Sequence, residues 1–209
     1  MSYDLSGPVR LAVIYYSATG TVYELAKAAG LAAEKAGAEV RLRKVREMAP
    51  PDVIAANRMW SEHVQATRHI AEATLDDLDW ADAIMLGAPT RYGMPAAQLK
   101  QFIDSTGPLW GGGRLINKIA SSFTAAATEH GGQEATILAL NNTFYHWGAI
   151  IVPPGYADPV QFRSGNPYGT SHTSQNGEIP PGETQLAAIE FQARRVVEVA
   201  QAFKRGRTV

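Results

Sequence analysis

Cysteine is absent from this chain of 209 residues. Disulfides, thiolate metal sites and cysteine catalysis are excluded together. Also missing is any apolar run near the roughly 18 residues that suggest a membrane span. The first residues, Met1-Ser-Tyr-Asp-Leu-Ser-Gly-Pro8, show neither the basic stretch nor the apolar stretch of a secretory signal. A cytoplasmic protein without a membrane span is the expectation. Charge of one sign is scarce too: 19 Lys and Arg against 20 Asp and Glu leave a formal net charge of −1. That balance argues against a nucleic-acid partner, and it lacks the strong acidity of a small electron carrier steered to basic partners. His63 and His69 stand six residues apart, a poor match to metal ligands on one helix face. Asp76, Asp77 and Asp79 lack the glycine and spacing of a calcium loop and read as a charged helix start. No metal site is expected. No repeat or low-complexity tract is evident.

What is there is an apolar content of 45 %, enough for a core, in a length that suits one domain over residues 1–209. Residues 9–16 form a near-continuous apolar run, as in a strand buried on both faces. A helix is expected over 20–36, and residues 38–45 alternate as a strand near a sheet edge. From Pro50-Pro51 the rhythm breaks, and about 46–74 reads as a partly helical insertion over the site or at a subunit contact. Further strands are expected at 83–88, 116–124 and 149–152, with helices over 96–104, from the 125–132 loop through Leu140, and over 183–204. A Gly-, Pro- and Asn-rich loop occupies about 155–182. Five strands alternating with helices predict an α/β, doubly wound parallel sheet.

The segment Leu11-Ala-Val-Ile-Tyr-Tyr-Ser17-Ala-Thr19-Gly20-Thr21-Val22 carries the most chemistry. A strand ends, Gly20 lets the backbone turn, and a helix starts with N–H groups that have no internal acceptor. Those groups, the helix dipole and the hydroxyls of Ser17, Thr19 and Thr21 can hold a phosphate. The same residues also suit an ordinary capped helix start. No lysine follows Gly20, which separates the turn from the loop of nucleotide triphosphatases, and the G-x-G-x-x-G of dinucleotide folds is absent. Neutral donors suit a monophosphate that stays bound, such as that of FMN. Ligands of doubly wound sheets sit at the carboxyl ends of the strands. There the loops 17–22, 89–95 and 124–132, all rich in Gly, Pro or hydroxyls, converge.

With Gly87-Ala-Pro-Thr90-Arg91-Tyr92-Gly93, Gly107-Pro-Leu-Trp110, His130-Gly-Gly-Gln-Glu134, His146-Trp-Gly148, Val152-Pro-Pro-Gly-Tyr156 and Asn166-Pro-Tyr-Gly169 in this order, nearly the whole chain resembles the flavodoxin-like NAD(P)H:quinone oxidoreductases of the tryptophan-repressor-binding-protein (WrbA) type. The resemblance implies a flavodoxin-like five-stranded sheet of order 2-1-3-4-5 with helices on both faces. It implies bound FMN, with NADH or NADPH as hydride donor and quinones reduced to hydroquinones by two-electron transfer. It puts the FMN phosphate on Ser17, Ala18, Thr19, Gly20, Thr21 and Val22. The flavin ring and ribityl fall against Thr90, Arg91, Tyr92 and Gly93, and the pyrimidine end near Thr124, Ala125, Ala126, Ala127, Thr128 and His130. Trp110, Trp147 and His146 then line the nicotinamide and quinone pocket, partly from neighbouring subunits of a homotetramer. His146 also adjoins the cofactor and is the residue placed to donate to a quinone oxygen.

Departures from the relatives are Val22 in place of a threonine, alanines at 125–127 in place of hydroxyl residues, and Trp147 in place of a second histidine. For single residues, bland readings remain open: Trp110 or Tyr92 as core aromatics, Arg91 in a surface ion pair, His146 as structural. For the whole chain the alternatives are a flavodoxin-type one-electron carrier, or a flavin-poor regulatory or binding protein on the same fold.

Overall fold

The computed structural model describes residues 7–206. Strands β1 (Arg10–Tyr15), β2 (Glu39–Lys44), β3 (Ala83–Arg91), β5 (Ile119–Ala126) and β6 (Ile150–Ile151) form a parallel sheet in the order β2-β1-β3-β5-β6. Only β4 (Met94–Pro95) is antiparallel, folded back on the end of β3. With that two-residue strand set aside, the order is the 2-1-3-4-5 expected of a flavodoxin-like sheet.

Because strand side chains alternate, β1 feeds two cores. Leu11, Val13 and Tyr15 pack with helix α1 (Thr21–Lys35) and the closing helix α9 (Glu183–Gly206). Ala12, Ile14 and Tyr16 face the other side, where α5 (Ala97–Asp104) and α7 (Gln133–Trp147) bring Leu99, Phe102, Leu140 and Phe144. Helices on both faces bury all but the ends of β1 and β3, which explains their near-continuous apolar runs.

Two boundaries that differ from the sequence reading bear on the site residues. β5 begins at Ile119, not residue 116, because Asn117 has a positive φ of 65° and breaks the extended run. α7 continues past Leu140 to Trp147, since Asn141 is buried and its side-chain oxygen accepts from the Ser122 hydroxyl at 3.2 Å. His146 and Trp147 therefore lie in the last turn of a helix, just ahead of β6.

The far edge of β5 is covered in two pieces. β6 pairs with its first residues, and β7 (Ser171–Thr173) runs parallel along its last, Thr124 to Ala126. The 155–182 segment thus supplies half of the fifth strand position, together with α8 (Pro159–Ser164). The insertion contains α2 (Pro51–Ala55) and α3 (Arg58–Ala66). The remaining short helices are α4 (Leu75–Trp80), whose start is closed by a Thr74–Asp77 capping box, and α6 (Gly107–Gly111).

Candidate functional site

A cleft of about 260 Å³ lies at the carboxyl ends of β1, β3 and β5. Its floor is the turn after β1. Gly20 takes φ 97°, a left-handed conformation that other residues adopt at a cost. Its N–H donates to Ser17 Oγ at 3.1 Å. α1 starts with no side-chain cap, and the Glu24 N–H donates to Gly20 O at 3.0 Å. The N–H groups ahead of Glu24 lack acceptors within the helix. Ser17, Ala18, Thr19, Thr21 and Val22 all line the cleft. An anion fits this end: uncapped backbone donors, hydroxyls and the positive pole of a fifteen-residue helix meet there.

The facing wall comes from β3 and β5. Pro89 and Arg91 stand on one strand, and Ala125, Ala126 and Ala127 on the other and just beyond it. The loops behind this wall are held by a buried hydroxyl pair, Thr136 Oγ1 donating to Thr90 Oγ1 at 2.6 Å. Gly132 permits their contact, since a Cβ there would stand 2.9 Å from the Gly93 Cα. The Arg91 guanidinium donates to Thr90 O at 2.9 Å.

Two segments close the remaining sides. Asn57 and Trp60 come from the insertion, and Ser174 and Asn176 from the chain after β7. Ser174 and Gln175 reach the site because their N–H groups donate to Ala126 O (2.8 Å) and Ala127 O (3.1 Å), prolonging the β7 pairing. Glu47 receives Tyr16 Oη and Trp60 Nε1, each at 3.0 Å, on one oxygen. These bonds and those from Gln98 and the Ala49 backbone hold its carboxyl below the usual range against the opposing effect of burial. Burial and the negative Glu47 raise the Tyr16 hydroxyl well above its ordinary value.

Behind the phosphate-type turn lies a second space of about 160 Å³, lined by Tyr15, Lys44 and His63 among others. Burial first, and then Lys44, push His63 down to about 4, so its ring is neutral at pH 7.

The structure brings Ser17, Ala18, Thr19, Thr21, Val22, Arg91, Ala125, Ala126 and Ala127 to one cleft. Thr90 and Gly93 support it from behind, as described. Thr124 points its hydroxyl into the sheet, donating to Ala88 O at 2.6 Å. Tyr92 is fully exposed with φ 54°, and Thr128 and His130 are exposed on the loop rim. Trp147, expected on the substrate side, is a core residue instead. Only 4 % of it is exposed, and its ring centroid lies 5.9 Å from that of Phe144. Trp110 is exposed and donates from Nε1 to His146 O at 2.8 Å. That pair sits where α7 leads into β6, at the amino ends of the strands. The eight residues of β5, about 25 Å, separate it from the cleft.

Sequence reading missed Asn57, Trp60, Pro89, Ser174 and Asn176. Pro89 lay inside a loop already singled out. The break in periodicity at 46–74 pointed to the segment holding Asn57 and Trp60 but not to the residues.

Residues 9–160 match the family model described as NADPH-dependent FMN reductase. A Deinococcus radiodurans protein named NAD(P)H dehydrogenase (quinone) is 48 % identical over 93 % of this chain and 97 % of its own length. A Brucella anthropi protein of the same name is 42 % identical over 91 % and 96 %. Among solved structures, a flavodoxin, WrbA-like protein from Agrobacterium tumefaciens superposes with TM-score 0.66 at 22 % identity, covering 93 % of this chain and 98 % of that one. Megasphaera elsdenii flavodoxin gives 0.57 at 15 %, covering 90 % and 98 %. The fold is flavodoxin-like, and the chain belongs to the NADPH-dependent FMN reductase family, alongside the NAD(P)H dehydrogenases (quinone).

Proposed function

We propose that this protein is an FMN-dependent oxidoreductase that reduces quinones to hydroquinones with two electrons from NADH or NADPH. The observation that carries the reading is the uncapped, hydroxyl-rich turn at Ser17–Val22. It opens into a cleft at the strand ends, in a chain 48 % identical to an NAD(P)H dehydrogenase (quinone).

The residues present fit FMN. The first turn of α1 has backbone donors without acceptors in the helix, and Ser17, Thr19 and Thr21 add hydroxyls for a phosphate. Alanines at 125–127 leave a wall of backbone with little side-chain bulk, suited to a flat ring. Arg91 offers a guanidinium at the edge of that wall. FMN, when bound, supplies the chemistry by accepting a hydride from the nicotinamide and passing two electrons to the quinone.

The chain's part is to hold and orient. Ser17, Thr19, Thr21 and the α1 backbone fix the phosphate, and Thr90, held by Thr136, sets the height of the ring wall. Trp60 and Asn57 keep water from one side. Proximity and orientation do most of the work in such a reaction, so no obligatory acid or base is needed.

Trp110 and His146 are too far from their own cleft to line it. The reading gives them to the cleft of a neighbouring copy in a homotetramer, where His146 donates to a quinone oxygen. Their exposure and mutual contact at the opposite end of the sheet support this. The cytoplasm, with its pools of NADH and NADPH, is the proposed location; among the described residues no helix is long and apolar enough to cross a membrane.

The test is an anaerobic absorbance titration of FMN-reconstituted protein with NADH or NADPH, followed by benzoquinone. Bleaching by nucleotide and recovery with quinone are expected. Bound flavin that neither nucleotide bleaches identifies a one-electron carrier instead, and failure to bind flavin leaves a regulatory or binding protein.

A further inference from the structure

The insertion is lightly anchored where it meets the cleft: neither α2 nor α3 has a buried residue, and Trp60 is only partly buried against the second core. Its far end is tied by Lys44, whose backbone pairs with Ala71 and Ala73 and whose Nζ donates to Thr67 O at 2.7 Å. Its near end depends on Glu47. One carboxylate oxygen accepts from Gln98 Nε2 (3.0 Å), Met48 N (2.8 Å) and Ala49 N (2.9 Å). The other accepts from Tyr16 Oη and Trp60 Nε1, each at 3.0 Å. Donors from β1's end, α5 and the insertion thus meet on one side chain. The chain of contacts continues, because Asn57 Oδ1 accepts from Trp60 N at 3.1 Å and caps α3. Fixing the Trp60 indole therefore fixes both insertion residues that line the cleft.

We propose that Glu47 is a positioning residue that clasps the 46–74 segment onto the cofactor cleft through Trp60, and so sets how long flavin stays bound. The proposal rests on the flavin reading of the cleft. Glu47 does not line that cleft and acts only through Trp60.

Chemistry makes the clasp selective. In Glu47→Gln the amide oxygen can keep the three donors of the first carboxylate oxygen. The amide nitrogen then occupies the second position. Tyr16 Oη, which already accepts from Gln98 Nε2 at 3.0 Å, can turn to accept from it on its second lone pair. Trp60 cannot, because an indole N–H only donates. The substitution is nearly isosteric and sets two donors against each other at Trp60 alone. Trp60→Phe deletes the same bond from the other partner.

The experiment measures the FMN dissociation rate of reconstituted Glu47→Gln, Trp60→Phe and the double variant by recovery of free-flavin fluorescence. Amide hydrogen exchange of residues 51–66 is followed in the flavin-free proteins. Glu47→Gln is expected to release FMN at least tenfold faster and to exchange faster over 51–66. Trp60→Phe, which deletes the same bond, should accelerate release to a similar extent, and the double variant should be no faster than either single variant. Wild-type rates in Glu47→Gln, or a double variant whose acceleration is the product of the two single ones, overturn the proposal. Should Glu47→Gln not fold, Trp60→Leu carries the test, with a tenfold acceleration expected and an unchanged rate fatal. If the wild type binds no FMN, the flavin reading fails. Exchange over 51–66 still decides the clasp, and equal protection in wild type and Glu47→Gln overturns it.

Discussion

Trp147 is 4 % exposed at the last turn of α7, its ring against Phe144. Trimming it to alanine leaves a void where the second core meets the end of the helix. Trp147→Ala is expected to cost about 3–5 kcal/mol of stability, read from the urea midpoint. A loss below about 1 kcal/mol would mean that the site collapses freely and the ring does not hold the core. His63 is a second residue whose surroundings decide its behaviour. Its folded pKa of about 4 lies below the ordinary 6.5. A depressed histidine favours the neutral ring in the folded state, so its contribution is complete above pH 6.5 and is lost as the pH falls towards 4. Melting temperatures recorded between those limits should fall more steeply for the wild type than for His63→Phe. Parallel slopes would show that the ring does not carry the effect.

Elements show where sequence was enough and where it was not. β1, the turn at Gly20 and α1 were readable because a buried strand, a hydroxyl-rich turn and an Ala-rich amphipathic helix each leave a local pattern. β7 leaves none: Ser171-His-Thr173 is a strand only because β5 offers it an open edge beyond the end of β6. Asn141 similarly reads as a breaker, yet the helix continues because Ser122 satisfies its side chain in the interior. Of the cleft's two outer walls, the insertion was legible as a segment over the site but not in its lining residues, and the post-β7 wall was not legible at all. Both depend on long-range contacts, Trp60 on Glu47 and Ser174 on Ala126. The post-β7 wall also packs closely on the turn after β1. Gly177 has φ 98°, and a Cβ there would come within 2.6 Å of Thr19 Oγ1 and 2.9 Å of Met59 Cε. Gly177→Ala should push this wall away from Thr19 and weaken FMN binding by about tenfold, or roughly 1.4 kcal/mol. The measurement is a fluorescence titration. An unaltered dissociation constant would show that the wall does not bear on the cofactor.

At the scale of the whole molecule, the sheet has two differently equipped ends. The carboxyl end carries the cleft, and the amino end exposes the Trp110–His146 pair. A chain acting alone cannot bring them together, because β5 separates them. The proposed homotetramer predicts particles of four 22.5 kDa chains in light scattering. Dilution to monomers should abolish quinone turnover while FMN stays bound. Full turnover by monomers would remove Trp110 and His146 from the reaction. The parallel order and the place of the cleft could be anticipated from strand and helix alternation alone. The proposed service of one copy's amino end to another's cleft could not, since strand and helix alternation carries no record of a neighbour.

The turn from Ser17 to Val22 contains no lysine or arginine, and Arg91 is the one cation among the residues lining the cleft. Short hydrogen bonds from backbone and hydroxyl donors act well inside the Debye length, about 10 Å at 0.1 M salt. A phosphate held by this turn would thus be largely indifferent to moderate ionic strength. Raising salt from about 0.05 to about 0.2 M would weaken exposed ion pairs and leave the flavin in place. Acid, by protonating the phosphate itself, would be the gentler route to the apoprotein.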